Sequence, residues 1–175
     1  MGNTDRPDLP WMVEARKNIG VNRTNGVAKI NGYWKDVASP HNYEAYFKDK
    51  PQVSWCSAFV GSMLVRSGVD IKQVKPPRPV ESSQYWLNMG VRLPKAEYGC
   101  IVVFDWGAGK GHVGFCAGVT PTGSLIILGG NQNSSVCEKA FLTGKIVGFI
   151  WPEGTPYLPE DYLPLRNMNV EHVKT

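Results

Sequence analysis

Cys56 is the residue of this chain whose position best suits nucleophilic chemistry. It follows Ser54 and Trp55 and opens a segment, 55–67, in which apolar residues recur at helical spacing. We therefore expect Cys56 in the first turn of a helix, where unpaired backbone N–H groups and the positive end of the helix dipole favour a thiolate. The alternative is that Cys56 simply begins the buried stripe of that helix.

Three histidines are candidates for the base that such a thiol needs. His41 lies in a polar stretch and His172 near the C-terminus, so both are expected on the surface. His112 stands at the start of a strand-like run in the sequence GHVG. We interpret its flanking glycines as room for a substrate backbone beside the imidazole. A hydrogen-bonded histidine at a strand end is the alternative.

A third polar group should orient the imidazole. The next strand-like run ends in LGGNQ, which contains Asn131 and Gln132. Because antiparallel neighbours bring the end of one strand near the start of the other, Asn131 is predicted to reach the far nitrogen of His112. Gln132 is the rival for this role, and an ordinary turn residue is the alternative for Asn131.

The elements that must position these residues predict an α+β domain, with helices first and strands afterwards. Helices are expected over 10–19, 55–67 and 81–89, the second being buried on one face. Segment 21–32 is interpreted as a loop, 33–47 as irregular or a short helix, and 75–79 as an extended connector. Short apolar runs predict an antiparallel meander over 101–105, 112–119, 124–128, 136–141 and 146–151.

Length and charge narrow the function classes. With 175 residues we expect one domain over 1–152, followed by a Pro- and Tyr-containing tail, 153–175, that lies against the domain or reaches a partner. The net charge of +4 suits an anionic polymer surface but is far from that of a nucleic-acid-binding arm. The apolar runs have strand length, so no integral membrane segment is expected.

The other cysteines are Cys100, Cys116 and Cys137, and all three lie in strand-like sequence. None forms the paired C-x-x-C element of a zinc finger, so no metal site is expected. Buried free thiols are the favoured interpretation, and a disulfide between two of the three is the alternative.

Four separated blocks of the sequence appear in an order that resembles small bacterial and phage cell-wall hydrolases of the CHAP and NlpC-type papain-like superfamily. The blocks are SWCSAFV (54–60), IVVF (101–104), GHVGF (111–115) and LGGNQ (128–132), and the resemblance covers about residues 9–152. Two departures stand out. Ser54 occupies a position where that family often has Pro, and Cys100 follows Gly99 where the family often has Asp.

The resemblance implies a papain-like fold and a cysteine amidase or endopeptidase that cuts amide bonds in the peptide stems of peptidoglycan, without a metal or other cofactor. It makes Cys56 the nucleophile, His112 the general base and then acid, and Asn131 the orienting group. Cleavage next to the sugar lactyl group and cleavage within the stem are both compatible with it. Substrate contacts are expected from Ser57, Trp55, Gln52 and Gln132.

The oxyanion of such a reaction needs two donors. The backbone N–H of Cys56 is the first, and the candidates for the second are Gln52 and the hydroxyls of Tyr33, Tyr43 and Tyr46. Three tryptophans are candidates for a substrate groove, with core packing as the alternative for each: Trp34, Trp55 and Trp106.

The N-terminal residues match neither a secretory signal nor a myristoylation site. We therefore expect synthesis in the cytoplasm and action in the periplasm or cell wall of a target or host bacterium, after delivery by other machinery. One setting is an antibacterial effector of a contact-dependent system such as type VI secretion, whose producer needs an immunity protein. The other is a phage endolysin.

Two other function classes use similar parts. A transglutaminase-like or deamidating toxin would act on protein glutamine, and a non-catalytic wall-binding module would keep the fold alone. Digestion of purified sacculi by the wild type and by Cys56→Ala separates these classes from a peptidoglycan hydrolase.

Overall fold

Helices precede an antiparallel sheet in the computed structural model, which describes residues 7–37, 53–71 and 80–168. The α-helices of these residues are α1 (Pro10–Lys17), α2 (Val27–Val37) and α3 (Cys56–Arg66). Two short 3-10 helices lie at Ser83–Asn88 and Thr143–Lys145. The strands are β1 (Gly90–Leu93), β2 (Ile101–Gly107), β3 (Lys110–Val119), β4 (Leu125–Gln132), β5 (Ser135–Phe141) and β6 (Ile146–Pro152). The α+β prediction is confirmed.

The six strands form one sheet in the order β1-β6-β2-β3-β4-β5, with every neighbouring pair antiparallel. The meander prediction is right for β2 to β5 and wrong for β6, which returns to the far side of β2. The sequence reading also missed β1, whose Gly90 was expected to end a helix. This strand has only four residues, and its two central side chains are exposed, so it carries little apolar signal.

Helix α3 lies at the centre of the domain rather than at its edge. Nine of its eleven residues are buried, so the expectation of one buried face is wrong. The helix packs across β3 and β4 and is covered by α1 and α2. A helix that is enclosed on all sides belongs to the interior, and its first residue, Cys56, is therefore held by contacts from several elements.

Helix α2 is the main error of the sequence reading. Residues 27–32 were expected in a loop, because the segment is rich in Asn, Gly and Thr. The buried residues Ile30, Tyr33, Trp34 and Val37 recur at i, i+3, i+4 and i+7, which is helical spacing. Segments 75–79 and 38–47 lie outside the described residues.

Residues 153–168 lie against the domain. The backbone N–H of Val119 donates to the Pro164 carbonyl at 2.9 Å, and the N–H of Arg166 donates back to Val119 at 2.9 Å. Arg166 also pairs with Glu138 at 2.7 Å. This part of the tail therefore has backbone and side-chain partners on the sheet, while the division of the chain at residue 152 stays a prediction.

Within the part of the chain that the structure describes, no helix is both long enough and apolar enough to cross a membrane.

Candidate active site

The fold brings Cys56 and His112 together. Cys56 is the first residue of α3, and His112 lies near the start of β3, one of the two strands on which that helix packs. The imidazole lies close enough to the thiol to lower the pKa of Cys56 through hydrogen bonding and charge. Both are nearly hidden from solvent, with 2% of Cys56 and 4% of His112 exposed. A thiol and an imidazole in contact at a helix start make a nucleophile and base pair.

The groups around the sulfur favour its ionised form. Burial alone would raise the pKa of the Cys56 thiol. The His112 imidazole, the Ser54 hydroxyl and the Val113 backbone N–H act in the opposite direction, and the net pKa lies below the ordinary value. The Ser54 oxygen is 3.5 Å from the sulfur. The site therefore holds a reactive thiol although the sulfur is buried.

Gln132 fixes which nitrogen of His112 faces the thiol. Its Nε2 donates to the carbonyls of Ile127 at 3.0 Å and Cys137 at 2.7 Å, so its Oε1 must be the atom that accepts. That Oε1 lies 2.8 Å from His112 Nε2, which therefore carries the proton. The other ring nitrogen, Nδ1, remains for the Cys56 thiol. This tautomer leaves a basic nitrogen at the sulfur.

The predicted contact of Asn131 with the imidazole is wrong, because Gln132, the rival, makes it. Asn131 has a φ of 58°, in the left-handed region. The pairing of β4 with β5 shifts register between Gly129 and Gln132. Such a bulge displaces the alternation of side chains by one residue, which simple strand counting cannot anticipate. The Asn131 side chain instead donates through Nδ2 to the Ser54 hydroxyl at 3.1 Å.

Glycines in β4 make the close contacts of the site. A Cβ at Gly129 would lie 2.7 Å from Gln132 Oε1 and 3.4 Å from His112 Nε2. A Cβ at Gly130 would lie 2.7 Å from both Trp55 and Phe59, at the start of α3. The 2.7 Å distances are shorter than ordinary carbon contacts. A side chain at Gly130 would therefore push the sheet away from the helix, and one at Gly129 would lengthen the His112–Gln132 bond.

The glycines beside His112 have a different role from the one expected. A Cβ at Gly111 would lie 2.4 Å from the Phe104 carbonyl and 2.6 Å from Ser83 Oγ. At Gly114 it would lie 2.4 Å from the Ile127 side chain. These glycines therefore serve contacts within the chain, and the interpretation that they make room for a substrate backbone is corrected.

Aromatic rings surround the imidazole. His112 is nearly parallel to Trp106, with ring centroids 5.9 Å apart and an interplanar angle of 6°. It also packs against Phe141 at 5.4 Å and Phe104 at 6.0 Å. Trp106 is 43% exposed, unlike the two phenylalanines. Of the three tryptophans considered as groove residues, Trp106 alone is exposed, since Trp34 and Trp55 are buried in the core.

The predicted substrate contacts at Ser57 and Trp55 are replaced by core packing. Ser57 is fully buried, accepts a hydrogen bond from Trp86 Nε1 at 2.8 Å and donates to the Val80 carbonyl. Trp55 is fully buried and stacks on Tyr33, with centroids 6.1 Å apart. Gln132 is also buried, and its amide is used within the chain. Gln52 lies outside the described residues.

The structure reduces the number of candidate hydrogen-bond donors to the oxyanion. The backbone N–H of Cys56 belongs to the first turn of α3, as expected. The Tyr33 hydroxyl donates to Asn18 Oδ1 at 2.8 Å inside the core and is not available to a substrate. Tyr43 and Tyr46 lie outside the described residues, as do the histidines His41 and His172.

The remaining cysteines are present as free thiols. Cys100 and Cys116 face each other across the start of the β2–β3 pair, where the Cys116 N–H donates to the Cys100 carbonyl at 2.8 Å. Cys137 is half-buried. Among the described residues, no group of three or more His, Cys, Asp or Glu side chains is arranged to hold a metal ion.

Two participants in the site were not anticipated from the sequence. In the sequence Ser54 stands out only as a departure from the family pattern, whereas in the structure its hydroxyl contacts the sulfur. The Val113 N–H lies beside the sulfur because it follows His112 on β3. A polar residue two positions before a helix-start cysteine is a signal that could have pointed to Ser54, whereas a backbone donor leaves no mark in the sequence.

This combination defines a class of thiol site: a cysteine at the start of a buried helix, an imidazole on an antiparallel sheet, and an amide that fixes the imidazole tautomer. The family model of the CHAP domain matches residues 48–131, which supports a CHAP-type assignment for this segment. Both Cys56 and His112 lie within the matched segment. A CHAP domain suggests a peptidoglycan hydrolase or amidase-type function. No curated protein and no solved structure is similar enough to count as a match.

Proposed function

We propose that the protein is a peptidoglycan hydrolase that cleaves amide bonds of the peptide stem through a thiol mechanism. The observation that supports it most is the contact between Cys56 and His112, with a lowered thiol pKa, inside a CHAP-type segment. A nucleophile helix packed on an antiparallel sheet is also the arrangement expected of a papain-like fold. Amide cleavage by a thiol requires this nucleophile and base.

In the first half of the reaction, the Cys56 thiolate attacks the carbonyl carbon of the amide, and the carbonyl electrons move to oxygen. The Cys56 backbone N–H, at the start of α3, is placed to donate to that oxygen. Collapse of the intermediate breaks the C–N bond, and the leaving amine takes a proton from Nδ1 of the His112 imidazolium. The products are a thioester on Cys56, a neutral imidazole and a free amine.

In the second half, water attacks the thioester while Nδ1 of His112 takes one of its protons. Collapse of this intermediate breaks the C–S bond, releases a carboxylic acid and restores the thiolate and imidazolium. Gln132 keeps Nε2 protonated through both halves, so the same nitrogen exchanges protons with amine and water. In this scheme Gln132 takes the orienting role that the sequence reading gave to Asn131.

Trp106 is the side chain best placed to meet substrate near the imidazole. It is partly exposed and lies parallel to His112, so its outer surface borders the point where the leaving amine would depart. An exposed aromatic ring of this kind suits contact with the apolar face of a sugar or with a peptide backbone. Substrate is therefore proposed to enter beside β2 and β3.

Sacculus digestion tests the proposal. Purified sacculi are incubated with wild type, Cys56→Ala and His112→Ala, and the soluble fragments are identified by mass spectrometry, which also identifies the bond that is cut. Wild type should release fragments with new amine and carboxyl ends, and the two variants should not. His41→Ala and His172→Ala serve as matched controls that keep activity. Intact sacculi in the presence of folded wild type would overturn the proposal.

The same experiment distinguishes the other function classes. A deamidating enzyme would leave sacculi intact and release ammonia from a glutamine-containing protein, in a manner that depends on Cys56. A wall-binding module would sediment with sacculi and release nothing, with or without Cys56.

We propose that the site of action is the periplasm or cell wall, because the substrate lies there. Expression in a Gram-negative host with a cleavable export signal should lyse the cells, and expression without that signal should not. Cys56→Ala with the export signal is the control. We propose two ways in which the protein reaches the wall: as an antibacterial effector of a secretion system or as a phage endolysin. An immunity protein, which only the first requires, would protect cells that co-express it.

A further inference from the structure

The side chains of Asn131 and Ser54 form a short chain of hydrogen bonds that ends at the nucleophilic sulfur. Asn131 Nδ2 lies 3.1 Å from Ser54 Oγ, and Ser54 Oγ lies 3.5 Å from Cys56 Sγ. The first contact joins the end of β4 to the residues before α3. The chain approaches the sulfur independently of the contacts of Gln132, which acts on the imidazole.

The protons of this chain have one arrangement that satisfies each group. The Asn131 amide N–H donates, so Ser54 Oγ accepts. A hydroxyl has one proton of its own, and with an amide donor already at its oxygen that proton is free to point at the sulfur. A thiolate has no proton to donate and accepts readily. The direction of donation therefore runs from Asn131 through Ser54 to Cys56.

The exposure of Ser54 supports this role over simple packing. Asn131 holds a left-handed conformation, with φ of 58°, at the bulge of β4, which few residue types adopt readily. Ser54 is exposed, so its hydroxyl is not needed to satisfy a buried backbone group. Its position is also the one where the family resemblance led us to expect Pro, which has no side-chain donor.

We propose that Ser54, oriented by Asn131, is a positioning residue that donates a hydrogen bond to the Cys56 thiolate and holds the sulfur for attack. This inference rests on the proposed role of Cys56 as nucleophile. It gives Asn131 a function at the sulfur in place of the one expected at the imidazole. The titratable group that faces the sulfur is His112 from β3, while Ser54 and Asn131 are uncharged.

The rate of alkylation of Cys56 by iodoacetamide, measured against pH, tests the inference without peptidoglycan. The labelled Cys56 peptide is quantified by mass spectrometry, which separates it from the other three cysteines. Ser54→Ala should slow labelling about two- to tenfold at pH 6 and move the midpoint of the profile upward, because one hydrogen bond to the thiolate is lost. Ser54→Thr keeps the hydroxyl and should restore the wild-type profile.

Substitutions at Asn131 test the direction of donation. Asn131→Ala removes the donor and should move the midpoint upward by less than Ser54→Ala does. Asn131→Asp replaces a donor by an acceptor, so the Ser54 proton would turn away from the sulfur, and the upward shift should exceed that of Asn131→Ala. Asn133→Asp adds the same charge on the same turn, at a side chain that accepts a hydrogen bond from Lys139, and should change the profile much less.

Two outcomes would overturn the inference: a wild-type profile for Ser54→Ala, or equal profiles for Asn131→Asp and Asn133→Asp. Thermal melting of each variant separates a loss of fold from a change at the sulfur. If sacculi stay intact with wild type while these shifts are observed, the proposed function fails and the hydrogen-bond chain stands. If sacculi are digested while the shifts are missing, the reverse holds.

Discussion

Cys56 and Cys100 are both almost fully buried, yet their thiols are affected in opposite directions. Burial raises the pKa of each thiol, since a charge is poorly solvated in the interior. At Cys56 the hydrogen bonds of His112, Ser54 and the Val113 N–H outweigh burial, and the pKa is lowered. At Cys100 burial and the neighbouring thiol of Cys116 act together, and the pKa is raised well above its ordinary value.

The difference comes from what the topology places beside each sulfur. Cys56 begins a helix that meets the sheet where β3 starts and β4 bulges, so an imidazole, a hydroxyl and a backbone N–H reach it. Cys100 precedes β2 and faces a second thiol across the strand pair. Burial therefore does not determine the reactivity of a thiol in this fold, whereas hydrogen-bond donors and a base do.

The largest effect is expected when the Cys56 thiol is removed and the Cys100 thiol is kept. Cys56→Ala should lower the rate of sacculus digestion by more than about a thousandfold, because the nucleophile is lost. Cys100→Ala should keep the wild-type rate per folded molecule. Iodoacetamide at neutral pH should label Cys56 in the native protein and label Cys100 only after unfolding. Digestion by Cys56→Ala, or native labelling of Cys100 ahead of Cys56, would break the comparison.

Substitutions of His112 and of its partner Gln132 should lower the rate of sacculus digestion to different extents. His112→Ala removes the base and should lower the rate about a hundredfold or more. Gln132→Ala leaves the imidazole in place but frees its orientation, so a smaller loss of rate is expected. It also leaves the carbonyls of Ile127 and Cys137 without their amide donor, at a cost of about 1–3 kcal/mol in the free energy of unfolding.

Kinetics of sacculus digestion and urea unfolding measure these two effects. Asn131→Ala is the comparison for the neighbouring amide. It should leave the His112–Gln132 bond intact and lower the rate less than His112→Ala does, because it acts on the sulfur only through Ser54. A loss of rate in Asn131→Ala equal to that in His112→Ala would return the orienting role to Asn131.

Gly129 offers a smaller perturbation of the same contact. Gly129→Ala places a Cβ 2.7 Å from Gln132 Oε1, so the 2.8 Å bond to His112 must lengthen. We expect the rate to fall about three- to tenfold, with a loss of about 1 kcal/mol in the free energy of unfolding. Gly144→Ala, in open space at a non-strained backbone, is the matched control and should change neither quantity. An unchanged rate in Gly129→Ala would remove the Gln132 contact from the explanation of Cys56 reactivity.

The sequence was sufficient to predict the parts of the site that depend on periodicity. Helical spacing after Cys56 predicted a helix start there, and the apolar run after His112 predicted a strand. It did not predict that Gln132 takes the place of Asn131, because the bulge that shifts their side chains depends on how β4 and β5 pair over their whole length. The same holds for Ser57, whose burial follows from a helix enclosed on all sides.

Errors in the predicted fold have causes that lie outside the local sequence. Asn and Gly favour turns and so predict a loop over 27–32, yet α2 is stabilised by packing on α3, where Tyr33 contacts Phe59. The return of β6 to pair with β2 depends on contacts between residues 42 to 49 positions apart, such as Phe104 with Ile146 and Ile101 with Ile150, which no local pattern contains.

The smallest expected effect is a difference in how the two thiols make stability depend on pH. The folded pKa of Cys56 lies below the unfolded value of 9.0, so between these two values the unfolded chain binds more protons, and stability rises with pH until about 9. The folded pKa of Cys100 lies above 9.0, so its contribution to stability is complete below pH 9 and is lost as pH rises beyond it.

Urea unfolding from pH 7 to pH 10 should show the stability advantage of wild type over Cys56→Ala growing up to about pH 9. The advantage over Cys100→Ala should shrink above that pH. The Tyr33 hydroxyl, with a pKa raised to about 12 by burial, contributes equally to all three proteins and cancels in both differences. If the two differences in free energy of unfolding, wild type minus each variant, changed with pH in the same direction, the pKa values of the two buried thiols would not be shifted in opposite directions.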